Sequence, residues 1–137
     1  MFEKILLAVD GSEHSRRAIP VAGDIARHHD GEVTVLHVRE HELTWASDLD
    51  LETEGEAQTL VDDIVRELKD TGANAVGDIR RVAHGQTPRA ILDVAEEIGA
   101  GMIVMGTRGL SDWGRLLMGS VAHKVMHLAE CPVLVVR

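Results

Sequence analysis

The chain has 137 residues, 45% hydrophobic and 27% charged, which is one domain's length with enough apolar content to build a core. A formal charge of -9 excludes the broad basic footprint that nucleic acid or an anionic membrane requires, and 2% aromatic content excludes base-stacking platforms. The single cysteine, Cys131, excludes a disulfide framework, and neither an apolar run of about 18 residues nor an export signal is visible, so the expectation is a cytoplasmic protein without a membrane span.

Lys4 to Val9, KILLAV, is an unbroken apolar run of strand length, as in a parallel strand buried on both faces. It ends in Asp10-Gly11-Ser12, a carboxylate and a turn at the strand edge where open α/β sheets hold ligands. Ser12 or Ser15 can cap the next helix, whose inward stripe is Ala18, Ile19, Ala22, Ile25 and Ala26. Pro20 is expected to kink that helix or delay its start.

Glu32 to Val38 reads as a second strand, and Arg39 to Leu51 as loop. Ala57, Leu60, Val61, Ile64, Val65 and Leu68 then recur at three and four, the period of a helix stopped by Gly72. Asp78 to Ala83 is a more polar strand. Its adjacent Arg80 and Arg81 place it at an edge with one wet face. Gly85 turns the chain, Thr87 is the expected cap, and Pro88 opens a helix with the stripe Ile91, Val94, Ala95 and Ile98. Met102 to Met105 is a fourth strand. After a loop, Ser120 opens a helix carrying Val121, Val125, Met126 and Leu128, which Cys131-Pro132 breaks before a last strand, Val133 to Val136.

Strictly alternating strands and helices call for one parallel sheet with helices on both faces. A wholly apolar strand at a sheet edge invites pairing, so a homodimer through Val133–Val136 is expected.

The loop after Met105 carries the chemistry. Its spacing is G-x2-G-x9-G-S, from Gly106 through Gly109 to Gly119 and Ser120, with Gly114, Arg108 and Arg115 inside. Glycines allow close backbone approach, a helix starting at Ser120 aims unpaired N–H groups at an anion, and arginine supplies donors suited to phosphate. Neither G-x4-G-K-[ST] nor an N-terminal G-x-G-x-x-G occurs. Other readings weigh less. Asp10 as a phosphoacceptor lacks its acidic pair and its lysine. His123 and His127 at helical spacing lack a third ligand and read as solvated, His37 reads as a packing residue, and Cys131 as a buried thiol. Leu116-Leu117-Met118 either packs inside or forms a partner surface.

In this order and at these separations, KILLAVDGSEHS, HGQTPRAILDVA and GTRGLSDWGRLLMGSVAHKVMHLAECPVLVV resemble the opening strand, the glycine-proline helix start and the C-terminal signature of the universal stress protein family. The resemblance covers residues 1–137 as one domain. It implies an α/β fold, a five-stranded parallel sheet of order 3-2-1-4-5 with helices on both faces, as in flavodoxin- or Rossmann-like sandwiches that bind adenine nucleotides. It further implies the ATP-binding branch, with Ala8, Asp10 and Val38 at adenine and ribose, Gly106, Thr107, Arg108 and Gly109 around ribose and phosphates, and Gly119, Ser120 and Val121 at the phosphate tail. Asp112-Trp113 is bulkier and more acidic than the pattern. The expected cofactor is ATP, with Mg2+ or Mn2+ as a companion ion left open, in a homodimeric stress-response switch with an unidentified protein partner. Slow ATP hydrolysis or phosphotransfer, and a nucleotide-free dimerisation module, are the alternatives.

Overall fold

The apolar run at the N-terminus becomes the centre of the sheet. The computed structural model describes residues 1–43, 48–50, 53–108 and 118–137. In chain order the elements are β1 (Lys4–Val9), α1 (Glu13–His28), β2 (Glu32–Leu43), β3 (Asp48–Asp50), α2 (Glu54–Asp70), β4 (Asn74–Ala83), α3 (Thr87–Ile98), β5 (Met102–Gly106), α4 (Ser120–Leu128) and β6 (Val133–Val136). Five strands run parallel in the spatial order β4-β2-β1-β5-β6, the 3-2-1-4-5 order expected for the five strands read from sequence.

The sixth strand is a correction. The segment Arg39 to Leu51, expected to be loop, extends β2 to Leu43 and contributes β3, which pairs antiparallel with the outer end of β2 from His41↔Asp50 to Leu43↔Asp48. The polar sequence hid this because β2 runs past the core there. Its outer half is held by ladder hydrogen bonds to β4, in register through His41↔Ala83. For the same reason β4 starts at Asn74, four residues before the expected Asp78. Among the described residues β4 pairs with β2 alone, so Arg80 and Arg81 do stand on an edge.

Strand alternation splits the core in two. Ile5, Leu7 and Val9 of β1, with Val33, Val35 and Val104, pack against Ala18, Ile19, Ala22 and Ala26 of α1 and Val61, Ile64 and Leu68 of α2. Leu6 and Ala8, with Leu36, Ile103 and Met105, face Ile91, Val94 and Ala95 of α3 and Ala122 and Val125 of α4. Each fully buried Leu or Ile contributes about 1.5–3 kcal/mol by leaving water. Helices therefore cover both faces, two on each among the described residues.

Several local expectations change. Ser12 caps α1, accepting from the Ser15 N–H at 3.1 Å, and the helix starts at once at Glu13 and runs through an exposed Pro20. Thr87 is the first residue of α3 rather than its cap, which is Gln86. In α4 the inward residues are Ala122 and Val125, whereas Met126 and Leu128 are 45% and 63% exposed, because their positions turn off the face that meets the sheet. Cys131 is half-buried rather than buried, and loss of hydration holds its thiol above the usual range.

Candidate functional site

Parallel strands all end on one edge of the sheet, and β1 is the strand from which the chain departs to β2 on one side and to β5 on the other. Ligands of open α/β sheets lodge at such a reversal, beyond the carboxyl ends of the strands. The register puts Val38, Asp10 and Thr107 level with one another one step past the paired core, each on the α3/α4 side. Beneath them Leu36, Ala8 and Met105 continue the core upward.

Between these rows and the starts of α3 and α4 lies a cleft of about 250 Å3. Its floor is apolar, made by Ala8, Leu36, Val38, Ile91 and Met105. Ala8 is the small residue in that floor, and it leaves depth for a flat group. Asp10 stands at the strand end, where one carboxylate oxygen accepts the Ser12 N–H at 2.9 Å in a turn closed by Gly11 at φ +81°. The Asp10 N–H donates to Ser15 Oγ at 3.1 Å.

The opposite wall is the stem of the glycine loop. Thr107 donates its N–H to the Val136 carbonyl at 2.9 Å, and its own carbonyl accepts the Gly119 N–H at 2.7 Å. The chain therefore leaves β5 and returns to α4 at adjoining residues. Ser12 Oγ donates to the Arg108 carbonyl at 3.2 Å, tying this stem to the β1 turn. Thr107 Oγ1 and His14 Nδ1 share a hydrogen bond of 2.9 Å.

Helix α4 begins without a side-chain cap: Gly119 occupies the cap position, and no acid lies in the first turn. The N–H groups of Ser120, Val121 and Ala122, all at the cleft, have no acceptor within the helix, since the first such bond runs from His123 to Gly119. By contrast α1 is capped by Ser12 with Glu13 behind it, and α2 by a reciprocal Thr53–Glu56 box. The α4 start is thus left with its positive end uncompensated, which favours an anion there; the α3 start, also without a side-chain cap, has the Glu40 carboxylate beside Thr87.

Of the ten residues expected at the site, Ala8, Asp10, Val38, Gly106, Thr107, Arg108, Ser120 and Val121 line this cleft. Gly119 is buried just behind it as the α4 cap, and Gly109 lies outside the described residues, as do Asp112, Trp113, Gly114, Arg115, Leu116 and Leu117. Gly106 has a reason beyond ligand approach. A Cβ there would fall 2.6 Å from the His14 carbonyl carbon and 2.7 Å from the Ser15 nitrogen, so the first turn of α1 rests directly on it.

Sequence reasoning missed Glu40, Thr87, Ile91, Leu36 and Met105 as cleft residues. The alternation Leu36, Val38, Glu40 carries the signal, and a strand taken only to Val38 leaves Glu40 out of it. His37 packs as expected, donating from Nδ1 to the Val9 carbonyl at 2.8 Å, yet it also borders the cleft. His123 and His127 are exposed with rings stacked 5.1 Å apart, and no cluster of three or more metal-ligating side chains occurs among the described residues.

Comparison with known proteins gives one family. The profile of the universal stress protein family matches residues 1–137. The universal stress protein YxiE of Bacillus subtilis (strain 168) is 35% identical, the match covering 100% of both chains. Among solved structures, a universal stress protein in complex with cAMP is 26% identical with a TM-score of 0.72, covering 99% of this chain and 97% of its own. The universal stress protein of Archaeoglobus fulgidus in complex with dAMP is 25% identical with a TM-score of 0.73, covering 100% and 98%.

Proposed function

This chain belongs to the universal stress protein family, and from that membership we propose that it binds an adenine nucleotide, ATP in the first instance, in the cleft over β1. The observation that carries the reading is the polarity of the cleft: an apolar slot on β1 and β2 at one end, an uncapped helix start with Thr107 and Arg108 at the other. The base fits the first and the phosphates the second. Similar proteins in complex with cAMP and dAMP support an adenine ligand. A companion Mg2+ or Mn2+ would be held mainly through phosphate oxygens, with Asp10 the nearest strand-end carboxylate.

Nucleotide binding would couple β1, the glycine loop and α4 through the Ser12–Arg108 and Gly119–Thr107 bonds, in a cytoplasmic stress-response switch. A second copy would cover β6, whose four residues are half-buried and whose outer edge pairs with nothing among the described residues. Light scattering at micromolar concentration should return twice the chain mass; a monomer refutes that part alone.

Calorimetric titration with ATP tests the central reading. Saturable heat and a raised melting temperature are expected, since a ligand that binds only the folded state stabilises it by mass action. Neither heat nor a shift at millimolar ATP overturns it. Gly119→Val, which sets a branched side chain behind the helix start, should abolish the binding.

A further inference from the structure

Glu40 is, with Asp10, one of two carboxylates among the described residues that line a cleft whose α4 end suits an anion, and it stands away from that end. It is the third outward residue of β2 after Leu36 and Val38, and its side chain is only 24% exposed. Two neighbours fix it. Thr87, at the start of α3, donates from Oγ1 to Glu40 Oε1 at 2.6 Å, and His84 Nδ1 lies 3.2 Å from Oε2. A carboxylate offers about four acceptor positions. These contacts take one on each oxygen and leave acceptor capacity on a group that lines the cleft.

Its place relative to the anion end is set by the sheet. Thr107 and the α4 start stand over β5, β1 intervenes, and Glu40 stands over β2, two strand spacings or about 10 Å away across the sheet. A nucleotide with its phosphates at α4 lays its base across β1 toward β2. The base edge farthest from the sugar then arrives beside Glu40.

We propose that Glu40, pinned by Thr87 and His84, selects the base: it accepts a hydrogen bond from the exocyclic amine of a 6-aminopurine and repels a base that presents a carbonyl oxygen there. The inference rests on the nucleotide reading of the same cleft. Acceptance by a charged group is worth more than a neutral contact, and a carbonyl facing a carboxylate leaves two acceptors opposed. Thr87 and His84 act as positioning residues, since they hold the carboxylate in place without reaching the base.

The test compares two ligands that differ only at that edge, ATP and purine riboside 5′-triphosphate, whose C6 carries hydrogen in place of the amine. The unaltered protein should bind ATP about tenfold or more tighter, the scale of one hydrogen bond to a charged group. Glu40→Ala should bring the ratio close to one by weakening ATP while leaving the analogue's Kd in place. Glu40→Gln keeps the size and an acceptor oxygen, and should lower the ratio part of the way; it carries the test if the Ala variant fails to fold. An unchanged ratio in both variants, or equal weakening of both ligands, overturns the assignment and leaves nucleotide binding intact. Binding of neither ligand by the unaltered protein overturns the nucleotide reading itself, and this inference with it.

Discussion

The two faces of the sheet are built from alternate residues of the same strands, yet one is closed to its upper edge and the other opens into a cleft. On the α1/α2 side, β1 presents Ile5, Leu7 and Val9, and the first turn of α1 sits on Gly106 at the end of β5. On the α3/α4 side it presents Leu6, Ala8 and then Asp10, so bulk falls and polarity rises toward the strand end. A cleft here needs no special loop to dig it. It follows from one strand tapering on one face only, beside a helix whose start is left uncapped.

Leu7 and Ala8 are neighbours in sequence on opposite faces. Leu7→Ala empties a fully buried site on the closed face and should cost about 3 kcal/mol in urea denaturation, within the range for such truncations. Gly106→Ala should come next, at about 2 kcal/mol, because the new Cβ meets backbone of α1 that has no side-chain rotamer to yield. Ala8→Leu sends its added carbons into the cleft. It should leave stability within about 1 kcal/mol while weakening ATP binding at least tenfold, both read by thermal shift with and without ligand.

The smallest effect concerns how the open side's helix is held. Arg80 on β4 sets its guanidinium on Asp78 at 3.0 Å from both carboxylate oxygens and on Glu97 of α3 at 2.7 Å. That hydrogen bond from Arg80 holds the Glu97 carboxyl below its ordinary value of 4.5. A depressed folded pKa stabilises above the unfolded value and is lost as pH falls through the folded one. Glu97→Gln should therefore lower the melting temperature slightly at pH 7, and the gap to the unaltered protein should close as pH drops below about 4.5. A gap that stays constant with pH would assign the loss to packing.

The closed face was legible from residue pattern alone: the stripes of α1 and α2 at three and four, and the apolar run of β1, are direct readouts of burial. Strand order 3-2-1-4-5 came from family resemblance rather than periodicity, since parallel strands buried on both faces carry no pattern that ranks them. The outer half of β2 and all of β3 were invisible because the segment Arg39 to Leu51 carries no sustained period, and what the structure adds there is ladder pairing of β2 with β4 and with β3. That same blindness concealed Glu40, which belongs to the strand only once the strand is longer. The exposed Met126 and Leu128 show the converse, for an apolar residue in a helix is no guarantee of an inward position.

The bond between the Gly119 N–H and the Thr107 carbonyl brings the end of β5 and the start of α4 side by side. Arg108, the next residue after Thr107, is tied separately to the β1 turn through the Ser12 hydroxyl. Lengthening the chain between Arg108 and Gly119 adds closure entropy only slowly with length, so the two anchored ends set the geometry at the cleft.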